Sequence, residues 1–447
     1  MKKHISKRHR TGRALAAALA TAIMTGTLQA ADYDELDIVN RTEVLEGTED
    51  GGVWRYSRAN TVTLVSGTLA AGNTRPDGMD NGLEVALSFT AESGLITANL
   101  VGDGSFYKTD LFGEVYFEGD FGLGASSTLN IEEGLFLFRG NATYSGSASI
   151  FIGIDGALAI ETAEGRTFNL GAPVVVGVDP VDQDDITQYA LLRFAQNSTP
   201  GNPGYITYGG GLAGTLLVHQ DGGSGSVTIL GGTGANVFGG YVFVEGGILR
   251  TVTDRQLGGG AGLFVGRSSA SAEREAVLDI TNTVQTVSLV HLYNNGLITG
   301  DTDAYLGVTG QVTLQSGTLA VSFGNNPDLP ESQAGLLKEG RAGDVAVVSG
   351  SNLYTGLTTV FGGRLVIGNS HALGVTEGII LGNVGTYYDT EASERLLNEG
   401  ATLDLNGHHV VHSANFFALG LRGVLEDSQG TGSLSAMEYV LMDGDVY

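Results

Sequence analysis

One stretch of this chain occurs twice. Asn236 to Gly266 reads NVFGGYVFVEGGILRTVTDRQLGGGAGLFVG, and Asn352 to Gly382 reads NLYTGLTTVFGGRLVIGNSHALGVTEGIILG. Asn236/Asn352, Gly240/Gly356, Val244/Val360, Gly246/Gly362, Gly247/Gly363, Leu249/Leu365, Leu257/Leu373, Gly258/Gly374, Gly262/Gly378 and Gly266/Gly382 align without a gap. A repeated segment of this length is one supersecondary unit used again. Such units stack because none can bury its apolar face alone. The repeat therefore favours an extended solenoid over a compact one-pocket enzyme.

A shorter phrase recurs outside the two copies. Val62–Leu69 reads VTLVSGTL and Val312–Leu319 reads VTLQSGTL. Ile152–Ile160, Val242–Leu249 and Thr358–Leu365 follow the same plan of alternating residues, a Gly corner, then an apolar residue two places on. Leu129–Phe138 follows it more loosely. Alternation turns one set of side chains inward, and the Gly permits a sharp change of direction. The expectation is short strands joined by tight turns, with the repeated Gly and Asn positions acting as corners. A second phrase, Val277–Asn282 (VLDITN) and Thr402–Gly407 (TLDLNG), ends a strand on Asp and Asn. Both residue types bond local backbone and tolerate left-handed φ. With 70 Gly, 7 Pro and no G-X-Y period, the composition fits many tight turns and excludes collagen.

The N-terminus reads as a secretory leader. Lys2, Lys3, Lys7, Arg8, Arg10 and Arg13 precede an apolar run from Ala14 to Met24, with small residues for cleavage after Ala30 or Ala31. Residues 1–30 are thus a signal peptide, residues 31–60 are expected to form an atypical capping segment, and residues 61–447 the repeat region. A net charge of −26 argues against nucleic acid or anionic lipid as partner. Cysteine is absent, which fits either drift or a chain that must stay unlinked in an oxidising compartment. Residues 173–204 and 325–343 interrupt the pattern as loop insertions. A brief helix is expected at Ile186–Phe194 and a helical turn at Ser332–Lys338.

Val347–Gly374 and Ala401–Val410 together resemble the autotransporter-associated β-strand repeat, also called the passenger-associated transport repeat. Asn352, Tyr354, Thr355, Gly356, Thr358, Thr359, Gly362, Gly363, Leu365, Gly368, Ala372, Leu373 and Gly374 carry the likeness. Asn236–Gly258 is a more degenerate copy. The resemblance implies an all-β, right-handed parallel β-helix with loop insertions, secreted or displayed at the surface of a Gram-negative-type bacterium. It also implies a structural or adhesive role, with a cell-surface glycan or protein as partner. Family passengers cross the outer membrane through a C-terminal barrel. This sequence shows no run of amphipathic membrane strands before Tyr447, so a translocator barrel is not expected within it.

The sequence offers no catalytic, cofactor-binding or metal-ligating assignment, and the chain is expected not to be an enzyme. His408 and His412 would face one side of a strand and His409 the other, so three ligands do not converge unless the fold adds His219, His291 or a carboxylate. Asp179, Asp182, Asp184 and Asp185 lack calcium-loop spacing. Asp279 and Asp404 read as turn residues. Gly258–Gly262 lacks the Lys-Ser/Thr of a phosphate loop. The alternative is a polysaccharide lyase or glycoside hydrolase, since β-helices offer long grooves. It would need carboxylates or a base converging beside exposed aromatics. Grooves lined by Ser, Thr and Asn would favour the scaffold.

Overall fold

The computed structural model describes residues 27–28, 32–45, 48–50, 53–72, 82–171, 173–178, 189–196, 199, 201–267, 275–294, 296–383, 400–410, 415–442 and 444–446. Every regular element among them is a strand, and nearly all strand pairs are parallel. Most strands join one large sheet system, with smaller ladders beside it. A parallel partner cannot be reached through a hairpin, so the chain must travel round and return to the same line.

Over residues 237–446 the returns fall on three lines. One runs Val242↔Leu263, Leu263↔Val290, Val290↔Val312, Val312↔Leu336 and Leu336↔Thr358. It continues through Thr358↔Ile379 and Ile379↔Phe417 to Phe417↔Tyr439. A second runs Leu249↔Leu278, Leu278↔Ile298, Ile298↔Leu319 and onward to Leu425↔Val446. The third is shorter, from Leu306, which pairs with Gln285 before it and Phe323 after it. Asp32–Val39 already joins such a ladder, pairing with Arg58–Val65.

Buried side chains from these lines join one continuous core column. Val242, Leu263, Val290, Val312, Leu336, Leu249, Leu278, Ile298 and Leu319 are all buried. In the first half the column is aromatic. Phe106 stacks on Phe89 at 4.8 Å and meets Phe136 edge-on at 5.1 Å. Phe121, Phe117, Phe138 and Tyr144 extend the cluster. Each buried ring is worth about 1.5–3 kcal/mol of hydrophobic burial, and each favourable ring pair about 0.5–1.5 kcal/mol more.

The sequence repeat is a repeat of bonds. Asn236 Oδ1 accepts from Leu212 N at 2.9 Å, and its Nδ2 donates to Gln256 O at 2.7 Å. Asn352 Oδ1 accepts from Phe323 N at 3.0 Å, and its Nδ2 donates to Ala372 O at 2.5 Å. Each side chain ties its own corner to the coils on both sides. Gly258 and Gly374 match too, at φ 72° and 65°. A Cβ there would fall within 2.8 Å of the Phe238 ring or 2.9 Å of the Tyr354 ring. Asn282 and Asn406 adopt the expected left-handed φ of 56° and 46°.

Two expectations are corrected. Ala190–Gln196 is a strand, not part of a helix, with Ala190, Leu192, Phe194 and Gln196 inward. Period-two alternation, satisfied by neighbours on both sides, outweighs the helix propensity of Ala, Leu, Arg and Gln. Gly335–Lys338 is likewise a strand rather than a helical turn. The expected signal peptide (residues 1–30) lies outside the described residues except for Thr27–Leu28.

Candidate functional surface

Outward side chains of one sheet line form a continuous row. The register places Arg193 beside His219, His219 beside Phe243, Phe243 beside Phe264, Phe264 beside His291 and His291 beside Thr313. Inward neighbours such as Val242, Val244, Leu263 and Leu292 fill the core. The same alternation that builds the core therefore builds this row.

The rings stack along the row. Phe243 and Phe264 lie 4.7 Å apart at 17°, and Phe264 and His291 lie 5.0 Å apart at 3°. Tyr293 continues beside His291 at 6.0 Å, and Tyr241 meets Phe264 edge-on at 5.7 Å. Gly262 makes room, since a Cβ there would come within 3.1 Å of Tyr241 and 3.3 Å of Phe264. Stacked rings spend their faces on one another and offer their edges to solvent. The row is half-buried, and burial holds His291 below the usual imidazole range.

Charged groups border one end. Asp221 accepts from Arg193 at 2.9 Å and from Arg267 at 2.6 Å. Arg267 also donates to Glu245 O at 3.0 Å. Glu245 meets His219 Nε2 at 3.1 Å. The hydrogen bond from His219, aided by its charge and that of Arg267, holds the Glu245 carboxyl below its ordinary range. The Asp221 carboxylate is engaged by two guanidinium groups and the Glu245 carboxylate by the His219 ring.

His219 and His291 are on one sheet face but separated by Phe243 and Phe264, so they do not converge. His409 is exposed and bonds Ser433 Oγ at 3.0 Å. His412 and Asp179, Asp182, Asp184 and Asp185 lie outside the described residues. Among the described residues, no three His, Asp or Glu side chains are grouped to hold a metal. Asp279 bonds Thr281 N and Arg250 Nε. Asp404 bonds Asn406 N, Ser428 N and Arg364. Burial pushes both carboxyls up, but these bonds outweigh it and hold them below the ordinary range. Both close turns, as their phrase implied.

Open grooves follow the corners. One of about 370 Å³ is lined by Asp301, Thr302, Ser322, Ser349, Ser351 and Asn369. Another, about 470 Å³ and more apolar, lies over Val237, Gly239 and Gly260. The ring row escaped the sequence reading, although Tyr241/Phe243 and His291/Tyr293 do alternate with core Val and Leu. Only the register reveals that Phe264 bridges them.

No family model matches the chain, and no solved structure matches it. Over 328 residues it is 28% identical to the adhesin BmaC autotransporter of Brucella suis biovar 1 (strain 1330). The aligned part is 66% of this chain and 8% of that protein, so the chain spans a small fraction of its relative. The likeness is to an autotransporter adhesin.

Proposed function

We propose that this chain is a stiff, right-handed parallel β-helical segment of an exported bacterial surface protein, with an adhesive rather than catalytic role. The uninterrupted line of parallel pairings from Val242 to Tyr439 supports it most directly. Each return to that line adds about 4.8 Å of height, so the chain acts as a spacer that holds its outer face away from the cell. Likeness to an autotransporter adhesin supports the surface location and the adhesive role. The contact surface is the sheet face and the polar corner grooves, with a cell-surface glycan or protein as partner. Two measurements test this reading. Small-angle scattering of the purified chain should give a rod; a compact particle would overturn the architecture. Displayed on a non-adherent Gram-negative cell through a heterologous barrel, the chain should raise attachment to epithelial cells. Attachment equal to the barrel alone would overturn the adhesive role.

A further inference from the structure

The corner after Leu405 contains a chemically fragile pair, Asn406 followed by Gly407. In an Asn–Gly pair no side chain shields the glycine nitrogen, so that nitrogen can attack the asparagine Cγ and expel ammonia. The fold imposes the pair here. Asn406 takes a left-handed φ of 46° and Gly407 one of 78°. A Cβ on Gly407 would lie 2.9 Å from Gln429 Cβ, so the corner calls for glycine after the asparagine. The sister phrase ends on Asn282–Thr283 instead, where a branched side chain flanks the nitrogen.

Both neighbouring coils grip the pair. Asp404 lies beside Val366 of the coil before and beside Glu426 of the coil after. From the first, Ile367 O accepts from Asn406 Nδ2 at 3.2 Å. From the second, Asp427 Oδ1 accepts from Gly407 N at 2.6 Å. The Asp427 carboxylate also accepts from Gly432 N and Gln429 N. The bond from Gly432, followed by those from Gly407 and Gln429, holds that carboxyl below its ordinary range, so it is charged at neutral pH. Ring closure needs Gly407 N as an anion, and a carboxylate 2.6 Å away opposes that charge. The side chain under attack is meanwhile tied to the opposite coil.

We propose that Asn406–Gly407 is a deamidation site and that Asp427 of the following coil sets its rate. When Asp427 lets go, a base takes the Gly407 N proton, the nitrogen bonds to Asn406 Cγ, and the Cγ–Nδ2 bond breaks. The amine leaves as ammonia with a proton returned to it, and a five-membered imide remains. Water then opens the imide at either carbonyl and leaves aspartate or isoaspartate at position 406. The net change is one water in and one ammonia out. Either product loses the amide donor to Ile367 O and adds a carboxylate to a corner that already holds Asp404 and Asp427. Isoaspartate also lengthens the backbone there by one methylene. The modification therefore unfastens this coil from the one before it.

The test is peptide mapping by mass spectrometry after incubating the purified chain at pH 7.5 in heavy-oxygen water, which labels a residue only where an imide has opened. Wild type, Asp427→Ala and the milder Asp427→Asn are compared, folded and in guanidinium chloride. Folded wild type should convert at Asn406 at least about tenfold more slowly than the unfolded chain, the equivalent of one charge-assisted hydrogen bond. Both variants should raise the folded-state rate at Asn406. The pairs Asn81–Gly82 and Asn295–Gly296 in the same digests report general loosening and should keep their wild-type rates. No conversion at Asn406 in guanidinium, equal rates in folded and unfolded wild type, variants that convert at the wild-type rate, or a rise shared by all three pairs would each overturn the proposal. None of these readouts involves attachment to cells, so they stand apart from the adhesive reading.

Discussion

Lys338 Nζ donates to the carbonyl of Gly362 on the next coil at 3.1 Å, from a side chain with no solvent exposure. It also donates to Gln315 O at 2.9 Å and Glu339 O at 2.5 Å, so one ammonium gathers carbonyls from three successive coils. A Cβ on Gly363 would sit 2.5 Å from that nitrogen, which explains the glycine there. Gln220 takes the corresponding role in the other copy of the repeat, donating to Gly246 O at 3.2 Å beside Gly247. The repeated Gly-Gly pair is therefore the acceptor half of an inter-coil clamp.

The clamp makes stability depend on pH. Burial lowers the Lys338 pKa to about 8, against 10.5 for an ordinary lysine. Between these values the unfolded chain holds a proton that the folded chain has released. Stability contributed at this site therefore rises with pH from about 8 and reaches its limit near the unfolded pKa. Below pH 8 both states are protonated and the cost of burial is fully present. Buried Tyr144 and Tyr354 are pushed up by burial. They oppose the trend only above about pH 10, where unfolded tyrosine ionises. Urea unfolding of wild type and Lys338→Met at pH 7.5 and 9.5 should show wild type gaining 1–2 kcal/mol relative to the variant, on the order of one pKa unit. A pH-independent difference would refute this.

Much of the frame was legible because it depends on period and punctuation. Val62–Leu69 and Val312–Leu319 announced alternation and a corner, and Leu64, Leu69, Leu314 and Leu319 are buried. What was not legible depended on which residues meet across coils. Lys338 looked like the charged end of a helical turn. Its inward slot, two places after Leu336, is evident only once Gly335–Lys338 is known to be a strand. Phe264 sits alone in the sequence, and its neighbours Phe243 and His291 arrive through returns of unequal length. Spacing within a coil is written locally, but register between coils is not.

Asn236→Ala and Asn352→Ala should cost similar amounts. Each removes two buried bonds and leaves a backbone N–H one coil back and a carbonyl one coil forward. At about 1–3 kcal/mol per unsatisfied group, a loss of roughly 2–5 kcal/mol is expected at either position. Asn→Asp should not rescue, because a carboxylate keeps the acceptor but cannot donate and adds a buried charge. Denaturant titration of the four variants checks this. A loss under 0.5 kcal/mol in either alanine variant, on the order of a surface substitution, would show that these side chains do not hold their corners to the neighbouring chain.

The ring row carries its own pH signature. Burial holds His291 below its ordinary 6.5, so below pH 6.5 the unfolded chain binds a proton that the folded chain takes up only at still lower pH. Stability from this residue is present above the unfolded pKa and declines as pH falls through it. His291→Phe keeps a ring against Phe264 and Tyr293 and removes the titration. Melting temperatures at pH 7.5 and 5.5 should therefore fall less in His291→Phe than in wild type. Equal falls would show that the imidazole titrates as it does in the unfolded chain.

Glycine substitutions separate corners that need a bare backbone from those that merely tolerate one. Gly374 combines φ 65° with a Tyr354 ring atom 2.9 Å from any added Cβ. Tyr354 cannot retreat, since its ring stacks on Phe323 at 4.7 Å and its hydroxyl bonds Thr358 Oγ1 at 2.6 Å. Left-handed strain of about 1–2 kcal/mol adds to overpacking of about 1–3 kcal/mol, so Gly374→Ala should destabilise by roughly 2–5 kcal/mol. Gly258→Ala should cost about the same, with Phe238 as the obstructing ring. Gly201 has nothing within 4 Å of a Cβ and no left-handed φ, so Gly201→Ala should be neutral or slightly stabilising. Parallel thermal melts of the three variants test the ranking. If Gly374→Ala melts with wild type, the corner has room for a methyl group, and the repeated glycine is not needed for its fit against Tyr354.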